Sequence, residues 1–357
     1  MNLSDIVSMR LQHQSLVRPF LKTPADVVSH LGAVQAQDYP AAKWAVGLRM
    51  IQATDKDIEK ACDNGQILRT HIMRPTWHFV MPEDVHWMQQ LTAPQVKKLM
   101  GHYNRKLELT DELFAKTNKI ITIALTNNNY LTRQELKTIL AEKGIVTDVQ
   151  RLAHIVMWAE LDALICNGPR RGKQFTYALL DERVPQQKEL SRDESLAKLA
   201  KKYFFSHGPA QIKDFSWWSG LSMKDATEGI SLIKSQLAEE TFDGKTYWFF
   251  SNTKTTESIS PTAYLLSIFD EYTIAYKDRR ALVGQRYFEK LIAMGNALTA
   301  VIVIDGMIVG TWKRAIKKNI VEITLNPFRE FSSTEHTALE IAAKRYGAFV
   351  ELPVSIS

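Results

Sequence analysis

A chain of 357 residues, 45% hydrophobic and 24% charged, is too long for one ordinary core and has the composition of a soluble globular protein of two to four domains. Its apolar runs, such as Ala300 to Ile304, are too short to span a bilayer, and the first residues lack the basic start and apolar stretch of a secretory signal. The only two cysteines, Cys62 and Cys166, exclude a disulfide framework and point to the cytoplasm, while a formal charge of +6 favours an anionic partner.

Residues 3–18, 24–34, 41–51 and 54–64 carry helical apolar spacing. Thr23-Pro24 reads as a cap followed by proline at the first helical position, and Val27, Val28, Leu31 and Val34 continue that stripe. Pro40 pushes Tyr39 out of the α region, after which Ala41, Ala42, Trp44, Ala45 and Leu48 begin another stripe. Gln35-Ala36-Gln37 lies between the two. Positions i and i+2 point apart in a helix but share a face in extended chain. An extended segment would aim both carboxamides at one spot, with Ala36 buried behind them, and such a pair can hold a water or a base edge. Capping of the flanking helix ends is the alternative, and spacing leaves both readings open.

Ile67–His71 and Thr76–Val80, around Met73-Arg74-Pro75, read as a hairpin that completes a winged-helix pattern. A second copy starts near residue 109. Thr132 and Glu135 form its capping box, 148–163 is its next helix, and Leu164–Asn167 and Gln174–Leu180 flank the tip Gly168-Pro169-Arg170-Arg171-Gly172-Lys173. A third runs from Asp193 to about Phe250. In it Gly208-Pro209-Ala210 begins a helix, Ser222 to Ala238 supplies two more, and Asp243-Gly244 turns a tight hairpin. Beyond it, Ala300–Ile304, Met307–Thr311 and Ile320–Leu325 are strand runs with Asp305-Gly306 as a turn, followed by a helix over 332–348. The expectation is an α+β, mostly α chain of three tandem winged-helix units (1–85, 86–185, 186–255) and a C-terminal β-rich, barrel-like domain (256–357), with Val184–Glu189 as the clearest boundary.

Basic residues gather at hairpin tips and helix ends. Lys97, Lys98, His102, Arg105 and Lys106 share one helix, and Arg170, Arg171 and Lys173 occupy the second wing. Lys277, Arg279 and Arg280 follow an apolar run, and Lys313, Arg314, Lys317 and Lys318 follow Gly310-Thr311-Trp312. One such cluster is usually a solvated face, but several on wings favour phosphate contact. His71, His78 and His86 match no zinc spacing, and no phosphate loop, zincin pattern or nucleophile elbow is present. No metal or other cofactor is expected. Trp158 and Trp217-Trp218 read as core, and Asp270 and Glu271 as partners for Arg279 or Arg280.

Val34-Gln35-Ala36-Gln37-Asp38, Leu68-Arg69-Thr70 and Arg74-Pro75-Thr76-Trp77-His78 resemble the AlkZ-like DNA glycosylases. Phe269-Asp270-Glu271-Tyr272, Tyr276-Lys277-Asp278-Arg279 and Asp305 through Trp312 continue the likeness, in the right order over nearly the whole chain. The resemblance implies tandem winged helices and a β-barrel curved around duplex DNA. It also implies a catalytic glutamine–aliphatic–glutamine motif, which falls here on Gln35, Ala36 and Gln37. A sister group, the AlkX/YcaQ-type enzymes, carries aspartate where this chain has Gln37. Asp38 stands one position later and would face away.

Such a site suits a purine alkylated at N7 or N3, which is already a cationic leaving group. Oriented amides can place water and stabilise an oxocarbenium-like sugar, but a neutral amide cannot act as a general base near pH 7. The sequence thus points to a monomeric, monofunctional glycosylase acting on double-stranded DNA with alkylated purines, including bulky adducts or crosslinks. Gln35 and Gln37 would be catalytic, with support from Arg74, Trp77 and His78. A winged-helix transcriptional regulator without chemistry is the competing reading.

Overall fold

The computed structural model describes residues 1–184, 188–251, 260–284, 287, 289 and 299–357. Helix boundaries follow the capping signals. Thr23 and Asp26, Thr54 and Asp57, Thr132 and Glu135, Ser191 and Glu194, and Ser332 and Glu335 all close reciprocal capping boxes. Each side-chain cap contributes about 1 kcal/mol to its helix.

The first region holds α1 (Leu3–His13), α2 (Pro24–Leu31), β1 (Val34–Gln35), α3 (Tyr39–Gly47), α4 (Asp55–Asp63), β2 (Leu68–Ile72) and β3 (Arg74–Val80). Helix α2 ends three residues earlier than its apolar stripe suggests. Gly32 takes φ +81° and turns the chain, so Val34 and Gln35 become a strand in a sheet ordered β1-β3-β2. A long α5 (Val85–Lys106) leads to α6 (Asp111–Leu125), β4 (Leu131–Thr132), α7 (Arg133–Glu142), α8 (Val149–Leu161), β5 (Ile165–Asn167), β6 (Thr176–Leu179) and α9 (Leu180–Arg183). This sheet, β4-β6-β5, repeats the plan of the first. Both predicted hairpins thus gain a third strand of two residues, too short for periodicity to register.

Next come α10 (Arg192–His207), α11 (Ile212–Ser219), α12 (Met223–Ile233) and the hairpin of β7 (Ala238–Phe242) and β8 (Lys245–Phe249). Asp243 and Gly244 take φ of 50° and 66° at its turn, as a two-residue hairpin requires. Gly208-Pro209-Ala210 does not start a helix. Ala210 instead bridges Trp248 of β8, and the helix begins at Ile212. After Ser222 a single helix is followed by a short 3₁₀ turn rather than by a second helix.

The C-terminal region contains β9 (Ala263–Leu266), α13 (Glu271–Ile274), β10 (Val301–Ile304), β11 (Met307–Ile316), β12 (Val321–Pro327), a helix over Ser333–Val350 and β13 (Val354–Ile356). The strands form one sheet ordered β13-β12-β11-β10-β9, antiparallel except for the β12–β13 pair. A register shift between Ile302 and Val303 adds local bend. Among the described residues, no helix is long and apolar enough to cross a membrane.

The buried core does not respect chain order. One apolar cluster runs from Leu11 to Phe349 and takes in the first sheet, α10–α12 and the C-terminal sheet; a second lies between Ala93 and Tyr177. Trp44 of α3 donates to the Leu265 carbonyl at 2.7 Å and packs edge-on against Tyr346 at 5.0 Å. Gly47 allows this approach, since a Cβ there would lie 2.5 Å from the Phe349 ring. Arg49, fully buried, forks onto Asp270 at 3.0 and 2.8 Å and also donates to Gln14. The N-terminal helices and the chain entering α13 are therefore locked together by both packing and buried charge.

Candidate active site

Gln35 sits where these regions meet. In β1 it pairs with His78 of β3, and its backbone N–H donates to Glu271 Oε1 at 2.8 Å. Ala36 is fully buried, and its N–H donates to the Trp77 carbonyl at 2.6 Å. Neither glutamine caps a helix, because Gly32 ends α2 and Asp38 begins α3 by accepting from Ala41 N–H at 2.8 Å. The capping reading therefore fails.

The two carboxamides occupy different surroundings. Gln35 is only 8% exposed, and its Oε1 accepts from Arg74 Nη2 at 2.9 Å. That bond fixes the amide and leaves its NH₂ group and one oxygen lone pair for a ligand. Gln37 is exposed, and its Oε1 accepts from Trp77 N–H at 3.3 Å. Gln35, but not Gln37, lines a cleft of about 500 Å³.

Glu271 provides the charge behind this wall. Its Oε2 accepts from Trp218 Nε1 at 2.9 Å, and the carboxylate is fully buried. Burial alone would raise its pKa; the His207 ring, the Arg74 charge and the Gln35 N–H outweigh burial and hold it below the usual range. The expected pairing of Asp270 or Glu271 with Arg279 or Arg280 is not found. Asp270 pairs with Arg49, Glu271 faces Gln35, and Arg280 pairs with Asp278 at 2.6 Å. Adjacent carboxylates point apart across the start of a helix, so each reaches a different buried partner.

His78 is fully buried, and burial followed by the Arg74 charge pushes its pKa down to about 3. The neutral ring accepts from Arg74 Nη2 at 3.3 Å through Nε2, which places its proton on Nδ1 toward the Thr76 carbonyl at 3.0 Å. His78 thus orients Arg74, and Arg74 orients Gln35.

Across the cleft stand Lys213, Lys277 and Arg279, with Leu99, Trp217 and Met223 as apolar wall. Trp217 departs from the core expectation, being 44% exposed with its Nε1 held by the Ile274 carbonyl at 3.0 Å. Trp218 is fully buried, and Trp158 stacks on Phe114 at 4.3 Å. Among the described residues no carboxylate lines this cleft. Neither a carboxylic acid to protonate a leaving group nor a carboxylate to activate water is therefore among the described residues of its lining.

The remaining predicted residues scatter. Trp77 belongs to a second cleft, with the Arg69 guanidinium 4.4 Å above its ring. Lys173 lines that same cleft. Lys97 is neutralised by Asp162, whereas Lys98, Arg105 and Lys106 are exposed along α5. Arg170 is paired with Glu59 and Arg171 with Glu135, each at 2.7 Å. Lys313 and Arg314 stand on β11, away from Gln35 in the lining. Glu271 and Trp217 were missed as site residues. The signal available for both was their place in apolar, tryptophan-rich or acidic runs, which reads equally well as core.

The family model described as DNA glycosylase AlkZ-like matches residues 28–349. An interstrand DNA cross-link repair glycosylase of Streptomyces sahachiroi is 26% identical over 380 residues, covering 99% of this chain and 98% of that protein. The solved structure of Streptomyces sahachiroi DNA glycosylase AlkZ matches with a TM-score of 0.80 at 21% identity, covering 100% of both chains. That likeness includes the curled half-barrel of the C-terminal sheet. With nearly its whole length matched by one family model, the chain belongs to the AlkZ-like DNA glycosylase family.

Proposed function

We propose that this enzyme is a monofunctional glycosylase that releases cationic N7- or N3-alkylated purines from double-stranded DNA, including bulky adducts and interstrand crosslinks. The observation that carries this reading is the cleft itself, in which a fixed glutamine amide faces three cations and no carboxylate among the described residues. With no carboxylic acid in that lining, the site suits a base that leaves without being protonated. An alkylated purine meets that condition because its charge is relieved as the glycosidic bond breaks. The free lone pair of Gln35 Oε1 can then face the electron-poor sugar or hold the attacking water, with Gln37 assisting from the adjacent exposed position.

Lys213, Lys277 and Arg279 suit phosphates flanking the lesion, and the apolar wall of Leu99, Trp217 and Met223 suits the body of a bulky adduct. The α2–β3, α6–β6 and α10–β8 regions would act as three winged-helix units along the duplex, with the protein working as a monomer. A regulator has no need of the buried Arg74–Gln35–Glu271 arrangement.

The test is incubation with duplex DNA carrying one N7-methylguanine, followed by hot alkali to reveal abasic sites. Wild type should expose the site and release free base, whereas Gln35→Ala should leave the strand intact. Equal cleavage by both would remove Gln35 from the mechanism. Borohydride should trap no protein–DNA adduct; an adduct through Lys213 or Lys277 would replace the monofunctional scheme by an amine-based one.

A further inference from the structure

Side chains of β3 line two clefts. Arg74, Pro75 and Thr76 line the one containing Gln35, and Trp77 lines another of about 560 Å³. The second cleft is built mainly by the β4–β6 region, and three observations point to an occupant. First, the surface it presents is mostly apolar, with Phe175 just before β6, Tyr177 on it, and its approach joined to Val149, which is 79% exposed at the start of α8.

Second, its inner wall holds Arg69, only 9% exposed. That guanidinium lies 4.4 Å from the Trp77 ring centroid and 4.8 Å from that of Phe175, and its Nε donates to the Ala36 carbonyl at 3.0 Å. Among the described residues it has no carboxylate within ion-pair distance; the buried Glu160, which acts on it through space, is itself engaged by His71 and by Trp77 Nε1, so a largely buried cation faces the cleft with no direct counter-ion. Third, the rim adds Arg133, Lys137 and Lys173, and none of these is ion-paired among the described residues. Glu135, on the same helix as Arg133 and Lys137, is already engaged by Thr132 and Arg171.

An apolar, aromatic slot with a cation that has no direct ion pair at its wall and more at its rim fits a planar group carrying negative charge. In a DNA-acting enzyme that group is a nucleotide. We propose that this cleft is a second, single-nucleotide subsite, which takes one unstacked, undamaged nucleotide with its phosphate toward Arg69, Lys137 and Lys173 and its base against the Phe175 side. It goes beyond the glycosylase reading and rests on it only in taking DNA as the ligand. Trp77 joins the two sites, since its side chain walls the subsite while its N–H holds Gln37. A nucleotide seated here would hold the helix open beside the lesion. The strand β3 then separates an excision cleft from a retention cleft.

The test uses undamaged DNA, so it does not depend on excision. Binding is measured by fluorescence anisotropy for a fully paired duplex and for the same duplex with one central mismatch, equal in length and phosphate count. A mismatched nucleotide is easier to unstack, so wild type should bind the mismatched duplex about tenfold more tightly, the size expected of one base–aromatic contact. Phe175→Leu and, separately, Lys137→Ala/Lys173→Ala should reduce that preference to about twofold or less while changing paired-duplex binding little. Because Phe175 also packs on Tyr39, at 5.0 Å, the double lysine variant carries the test if Phe175→Leu melts early. Equal binding of both duplexes by wild type would overturn the proposal. So would a loss in the lysine variant that is equal for both, which would mean contact with duplex phosphates only. Retained preference in a protein that releases no alkylated base would refute the glycosylase reading and leave the subsite standing.

Discussion

The two sides of β3 handle buried positive charge in opposite ways. Arg74 is set among Gln35, His78 and, behind them, the ionised Glu271, so its charge is answered within the protein and its donors are committed to orientation. Arg69, the second residue of β2, is also largely hidden, but its direct contacts are aromatic rings and one carbonyl, with the Glu160 carboxylate acting on it only through space. A charge tied down by direct polar partners builds a rigid wall, while one without a direct ion pair is placed to take an anion. That difference separates positioning from binding in a molecule whose two clefts share a strand.

The largest effect is expected where the balance itself is removed. Glu271→Leu leaves Arg74 and the Gln35 N–H unanswered in the interior and should destabilise the fold by about 3–5 kcal/mol, read as a fall in the urea midpoint. Glu271→Gln keeps an acceptor and should lose less; equal losses would show that shape rather than charge matters there. Next in size, Gln35→Ala should slow single-turnover release of 7-methylguanine by about 10²–10³, as loss of one oriented transition-state dipole does elsewhere. Gln37→Ala should have the smaller effect, about tenfold by the same argument, because only Gln35 is fixed in the cleft.

Charge in the cleft should act on affinity more than on chemistry. Lys213→Ala/Lys277→Ala should lower the slope of log affinity against log salt by about one to two, the lower figure because Asp278 stands 3.6 Å from Lys213, with release at saturation changed only a few-fold. Arg170→Ala/Arg171→Ala should move the slope less, because Glu59 and Glu135 already neutralise those side chains. If the second pair has the larger effect, the footprint lies on the wing rather than at the cleft.

The smallest expected effect is a pH dependence. His78 is neutral in the folded protein with its pKa pushed down to about 3, whereas the unfolded chain titrates near its ordinary 6.5. The unfolded state therefore binds more protons between these values, and stability must fall as pH drops through that window. His13, pushed down to about 4 mainly by burial, acts in the same direction. His78→Gln should lose less stability than wild type between pH 7 and pH 5. An equal loss would place the acid sensitivity elsewhere.

Much of the frame was legible in local signals. Thr132 with Glu135, Asp243-Gly244 and the interrupted stripe around Gln35 each encode structure within a few residues. The site was legible only in part. Gln35 stood out because it broke a pattern, but Glu271 approaches it from 236 residues away, and no spacing encodes that meeting. Arg170 and Arg171 looked available because sequence shows charge but not the carboxylate folded against it. Trp217 and Trp218 are neighbours with opposite fates, because successive positions on α11 face the cleft and the core in turn. Two-residue strands such as β1 take their identity from the partner strand and leave no trace of their own.

The central claim is that this cleft breaks only bonds whose base leaves without help from an acid. It is tested most directly by single-turnover assays on two duplexes that differ at one base, N7-methylguanine or its neutral isostere 7-methyl-7-deazaguanine. The account predicts release of the cationic base and no detectable release of the isostere. Comparable release of both would contradict it.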